Sequence, residues 1–279
     1  MKTWEQNAEV AFQGEQGAYS EAAVFKIFGS TARPKPCKRF LDVFEEVWNG
    51  TTKYGVIPIE NSIEGSVRPV YDLFLQYELK VCGELDLRIS HCLIANPGTH
   101  LESVNVVYSH PQALGQCRNY LDRLGVELIS TYDTAGSVKM IKELGLTDAA
   151  SIAGERAAEI YEMKILAKDI ADTKTNFTRF FILAKEEVPP SGSDKTSIIF
   201  STKHVPGALY SALGELATRG INMTKIESRP TKQNLWEYNF YMDFEGHSSD
   251  PLCAEALEGL RNNSLFVKVL GSYPKAIEQ

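Results

Sequence analysis

The sequence predicts an α/β protein in two parts, on three observations. From Val10 to Tyr161 short apolar runs alternate with helical stretches. The polar segment Lys185-Glu-Glu-Val-Pro-Pro-Ser-Gly-Ser-Asp-Lys195 then separates two apolar strands. Beyond it the order becomes strand, helix, strand, strand, helix, strand. Alternating strands and helices build a mainly parallel sheet covered on both faces, since each crossover helix returns the chain to the same end of the sheet. A polar stretch with two prolines is linker chemistry. The βαββαβ order after it is the split βαβ, ferredoxin-like arrangement. The predicted domains are residues 8–185 and 196–274, joined by a linker at 186–195.

Each element has its own signal. Val10-Ala-Phe is followed by the turn Gln13-Gly-Glu-Gln-Gly-Ala-Tyr-Ser20 and a helix carrying Ala22, Ala23, Phe25 and Ile27. Tyr54-Gly-Val-Ile-Pro-Ile leads into Glu60-Asn-Ser-Ile-Glu-Gly-Ser66 and a helix from Val67 to Leu75. The strand from Val104 to Tyr108 meets Ser109-His-Pro-Gln112 and a helix through Leu124. Leu128-Ile meets Ser130-Thr-Tyr-Asp-Thr134 and a helix to Leu144. Ala150-Ser-Ile-Ala meets Gly154-Glu-Arg156 and a helix to Tyr161. In the second part, strands are read from Thr196 to Thr202, Ile221 to Arg229, Leu235 to Phe244 and Leu265 to Leu270. The stretch from Gly207 to Arg219 is a helix with Leu209, Leu213 and Leu216 on one face. Pro251 to Asn262 is a second helix, opened by Asp250 with proline at its first position.

With 279 residues, 43% hydrophobic and 23% charged, the chain has room for two cores. A formal net charge of -7 disfavours nucleic acid as a standing partner, because neutralising phosphates requires a basic face. The start of the chain carries no apolar signal-peptide core, and no run is long and apolar enough to span a membrane. A cytoplasmic protein is therefore expected. Cys37, Cys82, Cys92, Cys117 and Cys253 are scattered, which predicts free thiols. His91, His100, His110, His204 and His247 include no pair at metal-ligand spacing. Gly14-Glu-Gln-Gly17 lacks the dinucleotide-binding spacing, and no P-loop pattern occurs, so neither a cofactor nor a metal is expected.

In a parallel α/β sheet ligands bind outside the carboxyl ends of the strands, where the turns above lie. Those turns are rich in Ser, Thr, Gly, Asn and Gln, and each opens a helix whose free N–H groups favour anions. Converging, they suit a small polyanion without a basic patch. A binding module shows the same pattern, so the turns name a ligand class and not a reaction. Three segments carry more chemistry. The turn from Glu60 to Gly65 packs two carboxylates, an amide and a hydroxyl; Glu64 serves either as the returning half of a capping box on Asn61 or as a functional acid. Asn176-Phe-Thr178-Arg179-Phe180 sets a hydroxyl and a guanidinium at the head of an apolar strand, where a structural role is the ordinary outcome. His110, beside Pro111 at a helix start, is an acid, an anion donor or a turn residue.

Taken together, these segments resemble prephenate dehydratase. The matching motifs are Gly-x-x-Gly-Ala-Tyr-Ser at 14–20, Val-Ile-Pro-Ile-Glu-Asn-Ser-Ile-Glu-Gly at 56–65 and Ser-His-Pro-Gln-Ala-Leu-x-Gln-Cys at 109–117. Asn-Phe-Thr-Arg-Phe at 176–180 and Glu-Ser-Arg-Pro at 227–230 complete them, in the family's order over nearly the whole chain. Glu15-Gln16 replaces the proline-containing turn of many members, with no expected effect on activity. The resemblance implies a two-lobed, type II periplasmic-binding-protein-like catalytic domain with its site in the cleft, then an ACT domain, in the monofunctional form without a chorismate mutase.

The implied reaction is the decarboxylating dehydration of prephenate to phenylpyruvate, a hydro-lyase step of L-phenylalanine biosynthesis that needs no cofactor. The family's essential threonine falls on Thr178, as a positioned donor or proton relay. Glu64 supplies the full proton if burial raises its pKa, with His110 as the next choice. The substrate-binding residues carried over are Gly17, Ala18, Tyr19, Ser20, Asn61, Ser62, Ser109, Gln112, Thr131, Asn176, Arg179 and Phe180. Arg179 either clamps a carboxylate or pairs internally with a glutamate. Phenylalanine as effector falls on Gly207, Ala208, Leu209, Tyr210, Asn222, Glu227, Ser228 and Arg229, with Trp236 on the adjoining strand as a probe. A homodimer or homotetramer is implied. The alternatives are an arogenate dehydratase of the same build and a non-catalytic amino-acid sensor; the intact segment 176–180 argues against the sensor.

Overall fold

The computed structural model describes residues 4–231 and 237–276; Trp236 and the start of the strand expected from Leu235 lie outside the described residues. The chain opens with β1 (Glu9–Gln13), α1 (Tyr19–Phe28), β2 (Arg33–Cys37), α2 (Phe40–Asn49), β3 (Tyr54–Asn61), β4 (Gly65–Ser66), α3 (Arg68–Gln76) and β5 (Lys80–Arg88). It continues with β6 (Cys92–Ala95), β7 (Val106–Ser109), α4 (Pro111–Gln116), α5 (Arg118–Leu124), β8 (Glu127–Ser130), α6 (Thr134–Glu143), β9 (Ala149–Ala153), α7 (Glu155–Ile160) and β10 (Lys164–Ala167). After β11 (Phe177–Ala184) come β12 (Asp194–Ser201), α8 (Ala208–Ala217), β13 (Met223–Pro230), β14 (Tyr238–Glu245), α9 (Pro251–Asn262) and β15 (Phe266–Pro274).

Two sheets share one design. The first runs β2-β1-β3-β11-β5, with β4 on β3; the second runs β10-β6-β9-β7-β8. In each, the first three strands of a lobe stand in the order second, first, third. A strand from elsewhere in the chain, β11 or β6, follows, and then an outer strand. This is the two-lobed arrangement expected. The pairs β1–β2, β1–β3, β7–β8 and β7–β9 are parallel. The second sheet is nonetheless mixed, because β6 runs antiparallel to both β9 and β10. The mainly parallel sheet read from the strand–helix alternation is corrected to two sheets that are both mixed, the first through β4, which runs antiparallel to β3.

Local chemistry explains the details. β2 carries Pro34 and Pro36 and sits at an outer edge, where missing N–H donors cost no ladder bonds. The single helix expected after Pro111 breaks at Cys117, whose φ of -113° and ψ of 19° are not helical, giving α4 and α5. Among the described residues no helix is long and apolar enough to cross a membrane.

The chain packs as two compact units. One holds the chain up to Leu75 with Leu85–Phe180; the other holds Gln76–Glu84 with everything from Phe181. Strands β5 and β11 therefore each belong to both. In the second unit the sheet order β13-β14-β12-β15 is the ferredoxin-like arrangement expected. Helices α8 and α9 cover one face over a core that includes Ile198, Phe200, Leu216, Met242 and Leu260. Residues Gln76–Glu84 pack on the other face. There Lys195 Nζ lies 2.8 Å from the buried Glu84 carboxylate, and Lys268 Nζ lies 2.6 Å from Glu78. Gly271 admits a close backbone approach: a Cβ at that position would sit 2.1 Å from the Val81 carbonyl oxygen.

Candidate active site

A cavity of about 460 Å³ lies between the two lobes of the first unit. The first lobe contributes Tyr19, Ser20, Asn61, Thr178 and Phe180; the second contributes His110, Gln112, Gln116, Tyr132 and Asp133, and His91 lies on the segment joining the lobes. This size suits a small organic acid. No lysine or arginine among the described residues lines it. Helix α1 has no side-chain cap, and its first residues, Tyr19 and Ser20, face the cavity, so its positive end is directed there. A larger, more open depression beside Asn119 (about 670 Å³) is less suitable: its Asp172 carboxylate already accepts from the Asn119 N–H at 3.1 Å.

Backbone N–H groups set the direction of the hydrogen bonds around Asn61. Asn61 Oδ1 accepts from the N–H groups of Ile63 and Glu64, both at 3.0 Å. Its Nδ2 must then face inward, where its two hydrogens serve three acceptors, one of them shared: Asn176 Oδ1 at 2.7 Å, Phe177 O at 3.1 Å and Thr178 Oγ1 at 3.0 Å. Asn176 in turn donates through Nδ2 to Gln116 Oε1 at 2.9 Å. The same Oε1 lies 2.9 Å from His91 Nε2, and a carbonyl oxygen only accepts, so the proton of His91 is on Nε2. His91 Nδ1 is 2.8 Å from the Tyr19 hydroxyl, which is also 2.7 Å from the Ser90 carbonyl. Thr178 thus receives a hydrogen bond from Asn61 and keeps its own hydrogen to donate.

Burial pushes the His91 imidazolium below its ordinary pKa, against the opposing pull of Gln116, and enclosure pushes the Tyr19 hydroxyl well up. Both groups are therefore neutral near pH 7. A histidine with a lowered folded-state pKa binds fewer protons folded than unfolded in the range below its ordinary 6.5. Stability should accordingly fall as pH drops through that value. Denaturant midpoints measured between pH 5 and 7 should fall less steeply in His91→Asn; an equal slope in both proteins removes His91 as the cause.

A family model described as prephenate dehydratase matches residues 10–188, and one described as ACT domain matches residues 196–262. The chain belongs to the prephenate dehydratase family. Arogenate dehydratase/prephenate dehydratase 2 of Arabidopsis thaliana, a chloroplastic protein, is 44% identical over 276 residues, covering 95% of this chain and 72% of that protein. A solved prephenate dehydratase from Arthrobacter aurescens in complex with L-Phe gives a TM-score of 0.88 at 32% identity, covering 96% of this chain and 90% of that one. A structure described as GqqA, a novel type of quorum-quenching acylase, gives 0.88 at 35% identity, covering 95% and 97%.

Within this dehydratase-family cleft, Ala18, Tyr19, Ser20, Asn61, His110, Gln112, Thr178 and Phe180 line the cavity, as the residues carried over would. Others do not. Ser62 donates to Thr175 O and accepts from Phe177 N–H, both at 2.9 Å. Ser109 donates to Ile152 O at 2.6 Å, and Thr131 to Asp133 O at 3.1 Å. These three hydroxyls are occupied by backbone rather than directed at a ligand. Gly17 is needed for packing: with φ at 87°, a Cβ there would sit 2.8 Å from Ala157 Cα of the second lobe. Asn176 is fully buried behind Asn61, and strand alternation places Arg179 on the face of β11 opposite Thr178 and Phe180.

Glu64 is exposed, with Oε1 3.5 Å from Gln116 Nε2, so the burial that its acid role required is absent. The capping-box reading holds for one half: Asn61 accepts from Glu64 N–H, but the Glu64 carboxylate turns to Gln116 instead. His110 caps α4, with Nδ1 accepting from Gln112 N–H at 3.2 Å, which places the proton of its neutral form on Nε2.

His91, Gln116 and Asp133 were not among the expected site residues. Gln116 falls one helical turn after Gln112 and inside a recognised motif, so its spacing was a usable signal. Asp133 caps α6, with Oδ1 accepting from Ala135 N–H at 2.8 Å, while Oδ2 accepts from Glu15 N–H of the first lobe at 3.1 Å. His91 stands alone between β5 and β6, and nothing near it in sequence marks it.

Proposed function

We propose that the chain removes water and carbon dioxide from prephenate to give phenylpyruvate, as a lyase restrained by phenylalanine through its ACT domain. The observation that carries this reading is the Thr178 hydroxyl, held by Asn61 so that its own hydrogen is left for a group in the cavity. Aromatisation of the ring drives the reaction, and the barrier lies in the departure of hydroxide. A donor already oriented toward the leaving oxygen lowers that barrier without reorganising. A threonine hydroxyl is too weak an acid to give up the proton. The proton is given up by His110 as its imidazolium, from Nε2 into the cavity, with Nδ1 then no longer accepting from Gln112 N–H; the exposed Glu64 is not in the cavity wall. The open end of α1, with Ser20 and Gln112, suits the substrate carboxylates. Distance from fixed cations suits a carboxylate that must lose its charge as carbon dioxide.

One observation favours arogenate as the substrate: the Asp133 carboxylate in the cavity wall could meet an ammonium. Its oxygens already accept from backbone N–H groups, including those of Ala135 and Glu15, so the keto acid is the better fit. In the ACT domain, Gly207 opens α8 with φ at 80° and no side-chain cap, a suitable place for the carboxylate of phenylalanine. Glu227 pairs with Lys225 at 3.7 Å, Leu209 packs against the core, and Tyr210 is exposed. Exposed Val205, Tyr210, Ile226 and Phe266 suit self-association, and a homodimer or homotetramer in the cytoplasm completes the proposal.

Purified full-length protein offered prephenate and arogenate in parallel, with and without chelator, tests the reading. Phenylpyruvate should form from prephenate at a rate that chelator leaves unchanged. Folded protein that forms none of it removes the proposal, and preferential conversion of arogenate to phenylalanine selects the second substrate.

A further inference from the structure

The face of the C-terminal sheet turned away from α8 and α9 carries a row of buried polar side chains. Tyr273 on β15, Ser197 on β12 and Asp243 on β14 are 0%, 2% and 4% exposed. Ser197 Oγ lies 2.5 Å from both Asp243 Oδ1 and the Tyr273 hydroxyl. A carboxylate accepts, so Ser197 donates to Asp243 and accepts from Tyr273, and the row has one direction. Buried polar groups hold their partners because leaving one unpaired is costly.

The row has two informative ends. Asp243 is the register partner of Lys225 on β13, and cross-strand partners share a face. Lys225 Nζ lies 3.7 Å from Glu227, which opens the Glu-Ser-Arg-Pro segment assigned to the effector. At the other end the Tyr273 ring meets Phe181 edge to face, with centroids 5.6 Å apart. Phe181 is on β11, three residues after Thr178 on the same unbroken strand.

We propose that Tyr273 couples the effector segment to Thr178: the row from Glu227 to Tyr273 carries effector occupancy across the sheet, and β11 carries it on to the catalytic hydroxyl. The proposal rests on the reading that phenylalanine acts at β13. Thr178 works by the direction of one hydrogen bond, so a shift of about 1 Å along or across β11 is enough to cost turnover. The hydrogen-bonded row favours discrete arrangements over gradual deformation. The effector shifts the balance by binding one arrangement more tightly.

The test compares full-length wild type, Tyr273→Phe and Ser197→Ala by turnover and by calorimetric binding of phenylalanine. Tyr273→Phe removes the hydroxyl and keeps the ring against Phe181. Both variants should keep their kcat without effector and should still bind phenylalanine, yet retain roughly tenfold more turnover than wild type when phenylalanine is saturating. Variants that bind phenylalanine and are inhibited as wild type is overturn the proposal alone. Variants that lose binding together with inhibition also overturn it, since Tyr273 would then only support the domain. A wild type that neither binds phenylalanine nor responds to it overturns the effector reading, and the proposal with it.

Discussion

Thr178→Val is expected to lower kcat by about 10²–10³, the usual cost of one oriented donor at a developing charge. Valine matches threonine in shape, and the Asn61 amide keeps its bonds to Asn176 and Phe177, so the cavity wall should stand. The loss should fall on kcat more than on KM, because the hydroxyl gains strength only as the leaving oxygen takes up charge. Thr178→Ser restores the donor and should keep measurable turnover. Steady-state kinetics of the pair decide the matter: near-normal kcat in Thr178→Val would remove the role assigned to the hydroxyl.

The second large effect is expected from Asn61→Asp, a change of one atom that reverses a polarity. The outer oxygen would still accept from Ile63 and Glu64 N–H, as Asn61 Oδ1 does. The inner atom would become an acceptor facing Asn176 Oδ1, Phe177 O and Thr178 Oγ1, all acceptors for the native amide. A buried carboxylate oxygen facing the acceptors Asn176 Oδ1 and Phe177 O costs about 3 kcal/mol or more unless it takes up a proton or draws the Thr178 hydrogen to itself. Stability measured by denaturant should drop accordingly, and kcat should fall at least about 10²-fold because Thr178 loses its support. Protein of normal stability and rate would show that the amide direction is immaterial.

Much of the site was legible because helix starts are local. Ser109-His110-Pro111 reads as a cap and first turn, and His110 caps α4 as that pattern requires. The ferredoxin-like order was legible for the same reason, with α9 running from Pro111's counterpart in the second domain, Pro251, to Asn262. What a side chain faces is a different matter. Ser109 turns to Ile152 O on β9, a neighbour supplied by strand pairing far along the chain, and no local pattern announces that choice. Gln116 meets both His91 and Asn176 because the chain crosses between lobes twice, and the antiparallel entry of β6 that achieves one crossing leaves no mark in residue periodicity. The burial on which an acid role for Glu64 depends was not legible, since an apolar strand before a turn does not say whether the turn itself is covered.

The strand order also prescribes a timetable for synthesis. The sheet of β6 to β10 is contained in one continuous stretch and has all its strands once Ala167 has left the ribosome. The sheet that begins the chain has to wait, because β11 lies between β3 and β5. The start of β5 waits longest: Val81 meets its glycine partner only when β15, the final strand, is made. The earliest residues are thus among the last to be enclosed, a vulnerable interval in which unpaired edges invite association with other nascent chains. A chain cut near Glu187 never leaves that interval, since Gln76–Glu84 and Phe181–Ala184 keep no cover. Such a fragment should be held by chaperones or degraded rather than behave as an unregulated enzyme.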